Sequence, residues 1–166
     1  MHLPENVIIR PATLHDLDAI VALWMAMMHE HEAFDRRVRL ADHADEAYRQ
    51  YARHHLSSGG AAFVAEHPGA VIGFCLAYSA RNLPMFSPQS YGYLSDLTVS
   101  RPWRGRGIGS GLVEAVKQRL REHGIAHIQL QVYDGNIRGQ TFWRKMGFGD
   151  FIHGLWCGLS KKNAER

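Results

Sequence analysis

The stretch "RPWRGRGIGSGLV", Arg101 to Val113, decides the fold. It follows the strand-like run "YGYLSDLTV" and opens onto Leu112, Val113, Val116 and Leu120, an apolar stripe at helical spacing. A strand, a glycine turn and a helix in that order form a cradle for an anion. Glycines at 105, 107 and 109 can take backbone angles closed to other residues. Their N–H groups, with those of Arg106, Ile108 and Ser110, can converge at a helix N-terminus, where the dipole favours negative charge. Arg104 and Arg106 can add charge-assisted contacts. A dinucleotide, a nucleoside triphosphate, a nucleic-acid backbone and a coenzyme A pyrophosphate would all suit such a loop.

Spacing removes two of these guests. The dinucleotide fingerprint Gly-x-Gly-x-x-Gly fails, because its third position falls on Ser110 or Leu112. The nucleoside-triphosphate loop needs Gly-Lys, and the first lysine of the chain is Lys117. The net charge is only +3, and the aromatic residues are not interleaved with basic ones along a strand. Nucleic acid is therefore not an expected partner.

The 166 residues suit one domain, 1–166, and a 46% hydrophobic content marks an ordinary globular chain. No apolar run reaches the roughly 18 residues of a bilayer span, and "MHLPENVIIRP" lacks the pattern of a signal peptide. A cytoplasmic protein with no membrane partner is expected. Among eleven histidines no ligand spacing is found. His29 and His31 of "MHEHE" diverge on a helix, so no metal site is expected. Cys75 and Cys157 each lie in an apolar run and read as buried free thiols.

The rest of the chain supplies the frame. "VIIRPA" reads as a strand, and Thr13 caps a helix over "LHDLDAIVALWMAMMHEH". A polar helix fits "ADEAYRQYARHHL". The strands "AAFVAE" and "AVIGFCLAYSA" are joined by the turn "HPG". "AHIQLQVY" is a strand, and "NIRGQTFWRKMGF" is a short helix between an Asn136 cap and a Gly147 stop. "FIHGLWCGLS" supplies the last one or two strands. The order β-α-α-β-β-β-α-β-α-β-β is that of a mixed α/β domain.

"LTVSRPWRGRGIGSGLV" resembles motif A of the GNAT superfamily of N-acetyltransferases. Its signature Arg/Gln-x-x-Gly-x-Gly/Ala is met by Arg104, Gly107 and Gly109. "NIRGQTFWRKMGF" resembles the family's next motif through Asn136, Gly139, Phe142-Trp143 and Gly147-Phe148, and "IIRPATLHDLDAI" resembles its first strand and helix. The resemblance implies a mixed, mostly antiparallel sheet with helices on both faces and a V-shaped split between strands 4 and 5. It implies acetyl-CoA as cofactor and a small-molecule or peptide amine as acceptor, joined by direct attack in a ternary complex. The pantetheine arm would pair along Leu97, Thr98 and Val99. The pyrophosphate would sit on the N–H groups of Gly105 to Ser110. Asn136 would reach the cofactor from the far side, and Gly139 would pack closely against cofactor or strand. A backbone N–H near Leu97 would polarise the thioester carbonyl. A homodimer is compatible with these features.

Two positions depart from the family pattern. Many members carry a tyrosine where this chain has Trp143, and an indole cannot supply a proton at neutral pH. Packing as a cofactor wall is its expected role, with water or Tyr133 as substitute acid. Ser95 stands where some members carry a glutamate base. Asp96 is adjacent, but neighbouring strand residues face opposite ways, so it reaches the site only if a bulge re-aims it. These departures also motivate a different reading, an acyl-CoA-binding regulatory module with little or no turnover. For the acceptor, Glu30, Glu32 and Asp35 could attract a cationic amine, and Phe86 and Tyr93, with Met85 and Tyr91, could wall its pocket.

Overall fold

A computed structural model describes residues 3–159 of the chain. Strand β1 (Ile8–Pro11) leads through a 3₁₀ turn, Leu14–Asp16, into α1 (Leu17–His31) and α2 (Ala44–Ser57). Strands β2 (Ala61–His67), β3 (Ala70–Arg81) and β4 (Ser90–Val99) follow as a meander. Then come α3 (Ile108–Glu122), β5 (Ile128–Gln129) and α4 (Ile137–Lys145). The sheet runs β1-β2-β3-β4-β5, antiparallel except for the parallel pair β4–β5. Helices cover both faces, as the resemblance implied.

Local chemistry fixes the entry to α1. Thr13 and Asp16 form a reciprocal capping box. Arg10 on β1 forks onto both Asp16 oxygens at 2.7 and 2.8 Å and reaches Glu66 on β2 at 2.6 Å. The start of the helix is thus tied to the sheet edge. β3 is buried over Ile72–Ala77 without alternation, the pattern of a strand covered on both faces. On one face α3 buries Leu112, Val113 and Val116 completely. On the other, α1 and α2 bury Leu17, Ile20, Val21 and Tyr48 against Val64, Phe74 and Leu76.

Three expectations need correction. The run "AHIQLQVY" forms a ladder over Ile128 and Gln129 alone. Residues 149–159 form no strand, so the described part of "FIHGLWCGLS" extends no sheet. Its apolar pattern suits a strand, but a strand exists only when its backbone groups find an edge, and these find none. Cys157 lies in this segment and is exposed, whereas Cys75 is buried. Among the described residues, no helix is long and apolar enough to cross a membrane, and no cluster of ligating side chains could hold a metal ion.

Candidate active site

The glycine loop folds as a turn that leaves the start of α3 open. Gly105 and Gly107 have φ of +77° and +82°, angles that bar a side chain at low cost. Gly107 is the N-cap residue of α3 and brings no side chain to cap it. The first backbone bond closing the helix runs from Gly111 N to Gly107 O at 3.0 Å. The N–H groups of Ile108, Gly109 and Ser110 lie before that bond, where a helix has donors to spare. Arg106 stacks its guanidinium 5.2 Å over the Trp103 ring.

The cradle lies at the end of a split sheet. β4 pairs with β5 only at Gly92–Ile128 and Tyr93–Gln129, reinforced by Gly92 N donating to His127 O at 2.8 Å. From Leu94 to Val99 β4 has no partner on that side. Tyr133 follows β5 in the chain, beyond its last paired residue. Tyr133 meets His31 of α1 edge-on, with ring centroids 5.3 Å apart. The mouth of the split is thus narrowed by the end of α1.

A bulge sits in β4 where the departing residues lie. Leu76 faces Asp96 and Ala77 faces Leu94, so Ser95 is the extra residue. The consequence is a switch of faces. Leu94, Leu97 and Val99 all pack toward α3, while Asp96 turns to the α1–α2 side. There it is 8% exposed, and burial pushes its carboxyl above the usual aspartate range, against the pull of Ser95, Tyr48 and Trp24. Ser95 Oγ donates to Asp96 Oδ2 at 2.7 Å. The Tyr48 hydroxyl comes near Asp96 but is buried without a well-aligned hydrogen bond. The bulge brings Asp96 and Ser95 together as a hydrogen-bonded pair.

A cavity of about 580 Å³ opens between the second half of α1 and the end of β4. Leu23, Ala26 and Phe34 form its apolar wall, and Thr98, Ser100, Glu30 and Arg104 its polar one. Glu30 is not free to attract an amine. Arg104 grips both of its oxygens at 2.8 and 3.0 Å, and Arg101 adds a third bond at 2.9 Å. These cations hold the Glu30 carboxyl down to about 2. Arg104 spends its Nε on Val99 O at 2.7 Å, so its donors face α1 and β4. Glu32 lies on the exposed surface near His29, and Arg37 engages Asp35.

The remaining residues scatter. Asn136 caps α4 by accepting from Gly139 N at 2.8 Å. A Cβ on Gly139 would come within 2.6–2.9 Å of that same Asn136 side chain, so the glycine makes room for the cap. Trp143 packs edge-on between Phe142 and Phe148. Tyr93 is half-buried against Tyr78 under α2. Phe86 lies in the loop before β4, which enters at Ser90, the end of that strand opposite Leu97. His31, Tyr48 and Arg101 join the site from α1, α2 and the loop. Nothing in local sequence marks His31 and Tyr48, because only tertiary packing brings them near β4.

The acetyltransferase (GNAT) family model matches residues 24–148. The chain is 29% identical over 90 residues to L-ornithine N5-acetyltransferase NATA1 of Arabidopsis thaliana, covering 54% of this chain and 39% of that protein. It thus spans less than half the length of the curated relatives it matches first. In fold it is similar to a GCN5-related N-acetyltransferase from Ralstonia eutropha JMP134, with TM-score 0.72, 22% identity and coverage of 93% and 99% of the two chains. It is also similar to a predicted acetyltransferase with acetyl-CoA from Clostridium acetobutylicum, with TM-score 0.73, 19% identity and coverage of 92% and 96%. Motif spacing, the split sheet and the family match over most of its length agree: this chain belongs to the GNAT family of acetyltransferases.

Proposed function

We propose that the protein transfers an acetyl group from acetyl-CoA to a primary amine of a small molecule or peptide. The observation that carries this reading is the opening of β4 away from β5 directly before a helix N-terminus with free N–H groups. A Cβ at Gly105 or Gly107 would strain the turn, and the gap along Leu94–Val99 leaves room for an extended chain to lie beside β4. These residues fit acetyl-CoA, with the N–H groups of Gly107 to Ser110 holding phosphate and Leu97 to Val99 pairing with the pantetheine amides. Acetyl-CoA supplies an acyl group activated as a thioester.

In this reading the chain's own residues do three things. The N–H near Leu97 hydrogen-bonds the acyl oxygen in the open part of β4. Ser95 and Asp96 move a proton: the amine gives its proton to Ser95 Oγ as the Ser95 hydroxyl proton passes to Asp96 Oδ2, along the existing 2.7 Å bond. A carboxylate raised by burial is the better acceptor. Tyr133, which follows β5 and packs on His31 at the end of α1, protonates the departing thiolate in this reading. Trp143 serves as a packed wall. The cellular setting we propose is the cytoplasm.

The experiment is thiol release from acetyl-CoA against a panel of amines, amino acids, peptides and aminoglycosides. Turnover with one amine class supports the reading. Tight acetyl-CoA binding without release on any amine overturns it in favour of the regulatory module.

A further inference from the structure

A run of aromatic rings crosses the α1–α2 face of the sheet beside Ser95. Trp24 stacks on Tyr48 with centroids 4.1 Å apart, Tyr48 meets Tyr51 at 5.7 Å, and Tyr51 meets His55 at 4.5 Å. His55 stacks on Tyr78 of β3 at 4.1 Å, and Tyr78 reaches Tyr93 of β4 at 5.6 Å. Tyr48 is buried, whereas Tyr51, His55, Tyr78 and Tyr93 are half-buried. Rings that only filled the core would be covered. These four form a wall with an open side.

The wall ends where the sheet splits. Tyr93 pairs with Gln129 in the last rung between β4 and β5, and Ser95 stands two residues further along β4. Leu94 between them packs toward α3, so Tyr93 and Ser95 look to the α1–α2 side. The Tyr51 hydroxyl lies close to both Ser95 and Tyr78. Asp96 is the only acid in this group. Burial holds the Tyr51 and Tyr93 phenols above their usual range and the His55 imidazole below its own, so the wall is neutral at neutral pH. Acids nearer the end of α1 are engaged, Glu30 by Arg101 and Arg104 and Asp35 by Arg37. A polycation would find one partner, at Asp96, for its first ammonium and only neutral rings for its second.

We propose that the acceptor is a monoamine carrying an aromatic ring, with its nitrogen at Ser95 and its ring against Tyr51, Tyr78 and Tyr93. This inference rests on the proposed transfer at Ser95 and names its substrate class. Ser95 and Tyr93 are about 7 Å apart along the strand, a gap that a short carbon link between nitrogen and ring spans. A ring laid on this wall buries apolar surface and gains edge or offset contacts with the phenols. A second ammonium placed there gains only a weak attraction to half-exposed rings and gives up part of its hydration.

The test is kcat/KM for phenethylamine, butylamine and putrescine at saturating acetyl-CoA. Phenethylamine is expected to exceed the other two by about 10–100-fold, the range a pocket achieves through apolar fit. Tyr93→Leu is expected to raise the KM for phenethylamine about tenfold through the lost ring contact. It leaves the KM for butylamine and the affinity for acetyl-CoA unchanged, and Tyr93→Phe, which keeps the ring, behaves as native. Tyr51→Leu gives the same split from a different element. Butylamine or putrescine turned over as well as phenethylamine would overturn the aromatic class while acetyl transfer stands. So would a phenethylamine KM that neither leucine variant moves. If no amine releases thiol, the transfer reading itself fails, and saturation-transfer NMR then reads phenethylamine binding directly. Ring-proton signals with the native protein that vanish in Tyr93→Leu support the wall, and their absence with the native protein overturns it as well.

Discussion

The two halves of the molecule differ in how far they are finished. From β1 to α3 the chain is packed: Val64, Cys75, Leu112, Val113 and Val116 have no exposed surface. From β5 onward, no residue of β5 or α4 is fully buried, and Ile137 is 67% exposed. The two walls of the split thus come from unequal partners. The finished half holds the α3 cradle, the β4 bulge and the Asp96–Ser95 pair, whose geometry the proposed reaction needs fixed. The open half carries Tyr133, Trp143 and Asn136.

The sharpest way to break this contrast is to remove the proton acceptor from the finished half. Asp96→Asn is expected to lower kcat by about 10²–10⁴-fold, the usual worth of a general base, with little change in KM for acetyl-CoA. Its effect on stability has the opposite sign. The folded state raises the Asp96 carboxyl, so the fold favours the protonated form, and this contribution is lost as pH rises through the folded value. The variant is therefore expected to melt at or above the native temperature at neutral pH. A lower melting point with unchanged kcat would make Asp96 a structural residue only.

Core truncation probes the same contrast through stability. Leu112→Ala in the finished half is expected to cost about 2–5 kcal/mol, while Ile137→Ala on α4 is expected to stay within about 0.5 kcal/mol. Denaturant melts decide it, and equal losses would remove the distinction. Within the open half, Asn136→Ala removes the α4 cap and is expected to cost about 1 kcal/mol. Its effect on acetyl-CoA affinity would show whether Asn136 does more than cap.

Glu30 joins the packed α1 to the loop before α3 and gives the smallest effect. Its folded value is about 2 against an ordinary 4.5, so its stabilisation is present above the ordinary value and lost as pH falls toward 2. Solvent screening keeps the pair weak. The stability gap between the native protein and Glu30→Gln is expected to close as pH drops from about 5 to 2. A gap that stays constant would mean that the ion pair contributes nothing.

Much of the frame was legible because local chemistry wrote it. The glycine turn, the Thr13 and Asn136 caps, the Gly147 stop and the "HPG" hairpin all depend on near neighbours, and all stand where the sequence puts them. Long-range pairing was not legible. Residues 149–159 have a strand's pattern but pair with no edge among the described residues. Glu30 reads as a free carboxylate until Arg101 and Arg104, more than seventy residues on, fold against it. The bulge at Ser95 lies between these cases. Sequence showed that Asp96 needed one, and only the β3–β4 register reveals it.

The central claim is that the α3 cradle holds the phosphates of acetyl-CoA, and calorimetric titration of acetyl-CoA into the native protein and Gly107→Val tests it most directly. The φ of +82° at Gly107 and the approach of a phosphate both exclude a branched side chain there. The native protein is expected to bind and the variant to lose at least about 100-fold in affinity, with matching far-ultraviolet circular dichroism spectra showing that it still folds. Equal affinity for the two proteins would contradict the account.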